Sequence, residues 1–159
     1  MPATSLPESA SGILDPADSS RAARSLLGHW LGLQSSLCLS PVLARKCLEA
    51  SQGDPEEALG RSGREAGVSP SKIQEWISEL ARRGVRALPC TAAAYPARLR
   101  ALSDPPPLLL VRGQIGALAA SGVALVGARA ASGYGRRMAT ELAAALAQAG
   151  LVVVSGLAR

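Results

Sequence analysis

The chain is 159 residues long, enough for one medium domain or two small ones but not for a complete six-stranded doubly wound sheet with additions. Two Trp, two Tyr and no Phe leave Leu, Val, Ile and Ala to build the cores. The net charge of +5 conceals a division: residues 1–80 carry seven Lys or Arg against ten Asp or Glu, and residues 81–159 carry ten against two. A basic half attracts polyanions, unless its arginines merely occupy a solvated face.

Cys38, Cys47 and Cys90 are odd in number and form no C-x-x-C pair, so they read as thiols of a reducing cytosol. His29 has no second ligand at metal spacing, so no metal site is expected. It lies beside Trp30 on an apolar helix and reads as structural. No stretch approaches the roughly 18 consecutive apolar residues of a membrane span. Residues 1–19 hold Glu8, Asp15 and Asp18, with no basic residue and no apolar core, and read as a disordered leader rather than a signal peptide. The expected location is the cytoplasm.

Residues 20–84 read as a helical domain. Its first helix, from Ser20 to Leu33, places Ala23, Leu26, Leu27, Trp30 and Leu31 on one stripe. Three further helices begin with a capping residue followed by proline: Ser40-Pro41, Asp54-Pro55 and Ser69-Pro70. The helix from Pro41 to Ala50 is expected to bury Leu43, Cys47 and Leu48. A short one runs from Pro55 to Leu59. The last, Pro70 to Arg83, puts Ile73, Trp76, Ile77 and Leu80 on one face, with Gly84 as its stop. Residues 85–112 read as a connector with strands at Val85–Leu88 and Leu108–Val111, and with the run Pro105–Pro107 as the hinge between modules.

From residue 113 the pattern becomes strand, loop, helix, strand. Val123–Val126 is wholly apolar, as a strand buried on both faces should be. Tyr134–Ala149 carries Met138, Leu142, Ala145, Leu146 and Ala149 on one face and stops at Gly150. Leu151–Val154 is the second strand, expected parallel to the first through a right-handed crossover. The loops after both strands then emerge side by side at the carboxyl edge, where open α/β sheets bind ligands.

The first of these loops lies in "VALVGARAASGYGRR". A dinucleotide site needs G-x-G-x-x-G, but Gly133-Tyr134-Gly135 is followed by Met138 where the third glycine belongs, and no Lys-Ser or Lys-Thr pair makes a P-loop. No cofactor is therefore expected. Small residues, Arg129 at the mouth, Arg136 and Arg137 at the helix start and the hydroxyl of Ser132 suit an anion instead. No carboxylate or histidine stands near for acid–base work, because Glu141 is two turns into the helix. The competing reading is a loop whose glycines serve only to turn.

In order and spacing, "YPARLRALSDPPPLLLVRG", "VALVGARAASGYGRR" and "AQAGLVVVSGLAR" closely resemble the DNA-processing protein A family, also called Smf or the DNA-protecting proteins. The resemblance covers residues 25–159 and is strongest from Tyr95. It implies an α/β fold: a small N-terminal helical domain of the SAM or helix-hairpin-helix kind, then the first part of a Rossmann-like parallel domain over residues 113–159, incomplete. It also implies a non-enzymatic protein that binds single-stranded DNA, protects incoming DNA and helps load the RecA recombinase in natural transformation, acting as a homodimer. Gly127, Arg129, Ser132, Gly135 and Arg136 match the first anion loop, and Ser155 with Gly156 the second. Arg129 would be the main phosphate contact.

Two departures stand out. "LCLSP", with Cys38, replaces the glycine often seen at the helical turn and argues against a helix-hairpin-helix DNA role. The family pattern also continues past "SGLAR" into glycine-isoleucine-aspartate, so the chain reads as an amino-terminal fragment, with Leu151–Val154 a thinly covered terminal strand. An alternative is a Rossmann-like nucleoside-monophosphate phosphoribohydrolase of the lysine decarboxylase-like group. The tyrosine-proline and triple-proline lead-in and the helical module argue against it.

Overall fold

The computed structural model describes residues 12–35, 41–61 and 68–156. The chain divides into two units, Met1–Ile115 and Gly116–Arg159. Ser40 and Cys38, and with them the expected cap at Pro41 and the departure at the helical turn, lie outside the described residues.

In the first unit, helix α1 (Arg21–Ser35) is followed by α2 (Pro41–Ala50), α3 (Pro55–Arg61) and α4 (Pro70–Arg82). Their starts follow from local chemistry. Ser20 Oγ accepts from the N–H of Ala23 at 3.3 Å, Asp54 Oδ1 from those of Glu56 and Glu57 at 2.8 and 3.2 Å, and Ser69 Oγ from that of Lys72 at 3.3 Å. Gly84 and Gly150, the two expected helix stops, both have positive φ, +62° and +78°.

The core joins Leu27, Trp30, Leu31 and Leu33 of α1 to Cys47 and Leu48 of α2, Ala58 of α3 and Ile77 of α4. Each large aliphatic chain buried here contributes about 1.5–3 kcal/mol. Two expected core residues face outward instead: Leu26 is 40% and Leu43 39% exposed. On α2 the buried residues are Ala44, Cys47 and Leu48, so Cys47 and Leu48 are buried as expected and Ala44 takes the place of Leu43.

Strands β1 (Val85–Pro89) and β2 (Leu108–Arg112) pair antiparallel, with Ala87 opposite Leu110. Ala87 and Leu108 belong to the same core as the helices. The segment expected to be a connector is thus part of the first unit, and the prolines 105–107 lie inside that unit rather than between units. The expected disordered leader also needs correction over residues 12–19. Leu14 exchanges both backbone hydrogen bonds with Ala87, at 2.8 and 2.9 Å, and so satisfies the free edge of β1. Residues 1–11 of that leader lie outside the described residues.

The second unit contains β3 (Gly122–Ala124), α6 (Gly133–Gln148) and β4 (Val152–Val154), a short α5 (Ala97–Arg100) having intervened in the first. β3 and β4 are parallel, with Val123 opposite Val153. The fold is a mixed α/β chain with a helical first part and the parallel pair that a crossover helix requires. One expectation fails here. The apolar strands are not buried on both faces: Val154 is 54% exposed, and the strand expected over Val123–Val126 ends at Ala124, leaving Val126 in the loop and 92% exposed. Two strands and one helix supply a single covering layer. Leu142 of α6 is likewise 49% exposed, while Met138 and Leu146 are half-buried.

Candidate functional site

The sheet of the second unit ends where Leu125 N–H donates to Val154 C=O at 2.9 Å. Past that bond the two strands release their loops from the same end. Gly127 and Arg129 follow from β3, and Ser155 and Gly156 from β4, all of them exposed. The parallel register alone places the two loops as neighbours, because Ala124 lies opposite Val154.

The first loop closes onto α6 through Ser132. Its Oγ accepts from the N–H of Gly135 at 3.1 Å, and its C=O accepts from the N–H of Arg136 at 3.0 Å. The N–H groups of Gly133 and Tyr134 then have no acceptor within the helix, and they carry the positive end of its dipole. Arg136 turns back, donating from Nη1 to the C=O of Ala131 at 2.8 Å, so that it braces the loop from behind. Arg129 and Arg137 are exposed and form no ion pair among the described residues, although Glu141 stands one helical turn beyond Arg137.

Among the described residues, the space beside three of these glycines is open. A Cβ added at Gly127, Gly133 or Gly156 would meet nothing within 4 Å, and none of the three has positive φ. Neither a turn nor internal packing therefore demands glycine at these positions. Glu141 is the sole acidic residue of 116–159, which contains no His and no Cys. One exposed guanidinium and two backbone N–H groups at this edge are chemically suited to a negative charge. Of the residues singled out in the sequence, Gly127, Arg129, Ser132, Gly135 and Arg136 form one loop-to-helix turn. Ser155 and Gly156 join them from the adjacent strand.

The first unit holds other polar groups, and they are tied into structure. Tyr95, 2% exposed, donates its hydroxyl to the C=O of Pro106 at 2.8 Å. Arg100 lies over the Tyr95 ring at 5.7 Å and donates to the carbonyls of Cys90 and Ala92 at 3.1 and 2.5 Å. The tyrosine-proline and triple-proline segments thus form one knot, a role that reading the sequence missed because the contacts join residues up to 11 apart. Burial pushes the Cys90 thiol up, favouring its protonated form. His29 Nδ1 of α1 stands 3.7 Å from Glu56 Oε2 in the first turn of α3. Among the described residues there is no cluster able to hold a metal, and no helix is long and apolar enough to cross a membrane.

A parallel strand pair joined by a crossover helix, with a basic, glycine-containing loop at the start of that helix, places the chain among α/β proteins. Residues 86–159 match the family DNA recombination-mediator protein A, the DprA/Smf family. It is 27% identical over 143 residues to the DNA processing protein DprA of Bacillus subtilis and 30% identical over 133 residues to protein Smf of Escherichia coli. Each alignment covers 84% of this chain but only 44% and 33% of the respective relative. The family match starts at Arg86, so it takes in β1, the Tyr95 knot and the whole second unit.

Proposed function

We propose that the chain acts in DNA processing by holding single-stranded DNA through its phosphates, with no demand on base identity and no chemistry on the strand. The match to a recombination-mediator family and the names of the relatives support this reading. The observation that carries it is Arg129, exposed and unpaired beside two free helix N–H groups and glycines that leave room for a backbone. In this proposal Arg129 grips a phosphate, Gly127 and Gly156 give the strand clearance, and Ser155 lines the second loop. Ser132, Gly135 and Arg136 keep the first loop in shape. Tyr134, 67% exposed, is placed to stack on a base. The wider role we propose is protection of incoming DNA and loading of the RecA recombinase in natural transformation, by a cytoplasmic homodimer.

The test is fluorescence anisotropy with labelled oligonucleotides of differing sequence over a salt series. Affinity should be weaker than micromolar at physiological salt, fall steeply with salt and vary little with sequence. Arg129→Ala should weaken every oligonucleotide alike, by about tenfold or more for a lost charge-assisted bond. A salt-insensitive complex, or an Arg129→Ala protein of unchanged affinity, overturns the proposal. Release of free base from a nucleoside monophosphate would favour the phosphoribohydrolase reading instead.

A further inference from the structure

The cleft between α1, α4 and β2 has a volume of about 340 Å³, and Leu31, Trp76, Leu80 and Leu110 form its apolar wall. Leu110 is 46% exposed although it is the middle residue of its strand and its ladder partner Ala87 is fully buried. Because Ala87 gives both of its backbone groups to Leu14, the Ala87–Leu110 pair is a non-hydrogen-bonded one. The N–H and C=O of Leu110 therefore point to the outer edge of β2, which has no strand neighbour among the described residues. An apolar cleft beside an open strand edge has the form that accepts an added peptide strand.

Its rim is basic. Glu79 is the one acidic group lining the cleft, and its carboxylate accepts from Arg82 at 2.7 and 2.9 Å and also from Arg83. The hydrogen bonds from these two arginines hold Glu79 below the usual carboxylate range, so it stays ionised and outnumbered. Arg112, two residues beyond Leu110, projects from the same face of β2 and is exposed. Positive charge at the rim and apolar surface within call for a ligand of the complementary pattern.

We propose that this cleft docks an extended, acidic segment of a partner protein. Its alternate apolar side chains would sit against Trp76, Leu80 and Leu110, and its carboxylates would meet Arg82, Arg83 and Arg112. The proposal rests on the first unit alone and is independent of the DNA edge.

The probe is a fluorescein-labelled synthetic peptide of alternating Asp and Leu, compared with one in which Lys replaces Asp and one in which Ser replaces Leu. The full chain should bind the Asp-Leu peptide with a change in Trp76 emission and bind neither of the others. Arg112→Glu and Leu110→Asp should each weaken it by about tenfold or more. Both positions are exposed, so circular dichroism should match the parent protein. Arg129→Ala should leave peptide binding intact. The proposal fails if the Asp-Leu peptide does not bind, if the Lys-Leu peptide binds equally, or if Arg112→Glu has no effect. It also fails if sedimentation reveals a self-association that Leu110→Asp dissolves, which would assign the cleft to a second copy of the chain.

Discussion

Tyr95 lies in the stretch that most resembles the family signature, yet its surroundings are those of a structural residue, and Tyr95→Phe separates the two roles. The substitution keeps the ring under Arg100 and leaves no cavity, so it removes little beyond the 2.8 Å bond from the hydroxyl to the C=O of Pro106. A single such bond contributes about 0.5–1.5 kcal/mol, and because Pro106 is only half-buried, water can reach the freed carbonyl. A loss of about 1 kcal/mol follows, which at a urea slope of about 2 kcal/mol per molar shifts the midpoint by about 0.5 M. Tyr95→Ala removes the ring as well and should cost about 3–5 kcal/mol. The assay is urea denaturation followed by tryptophan emission, which reports the first unit alone because both tryptophans, Trp30 and Trp76, belong to it. Oligonucleotide affinity measured in parallel should not change for Tyr95→Phe. If affinity falls while the midpoint stays in place, Tyr95 is a ligand residue and the structural argument is wrong.

Ser132→Ala removes the N-cap of α6, a helix with no buried residue to compensate, and should cost about 1 kcal/mol. Amide exchange at Gly135 and Arg136 reads this directly, and unchanged protection there would contradict the capping argument. Leu27→Ala, at a side chain 1% exposed, should destabilise the first unit by about 3 kcal/mol in the same urea assay while leaving the exchange pattern of α6 intact. Burial raises the Cys90 thiol and the Tyr95 phenol above their ordinary values of 9.0 and 10.0, so the folded chain holds both protons more tightly than the unfolded one. The stability this contributes is full below the unfolded values and is lost as pH rises through the folded ones. Urea midpoints should thus fall above pH 9.0, and Cys90→Ala should shrink the part of that decline beginning there; a flat profile would show that neither group is held this way.

Helix starts, helix stops and the strand-loop-helix-strand order were legible from local chemistry. A Ser or Asp ahead of proline, and a glycine after the last turn, act within a few residues of themselves, so Asp54, Ser69, Gly84 and Gly150 do in the structure what their neighbours demand. The residues of the glycine loop were legible for the same reason, since they are contiguous. Which apolar residues face inward was less so. Leu43 and Ala44 both fit a helical stripe, and only the folded chain shows that Ala44 is the buried one.

Long-range pairing decided the rest. Leu14 and Ala87 are separated by most of the first unit, and only the folded chain shows that the expected leader closes the edge of β1. The same holds for the proline run, which looks like a hinge in one dimension but is anchored by Tyr95 in three. The sequence put Arg129 at the mouth of the loop, as the expected phosphate contact, and Arg136 at the helix start. The tertiary structure separates them, because backbone geometry directs one guanidinium onto Ala131 C=O and leaves the other free in solvent.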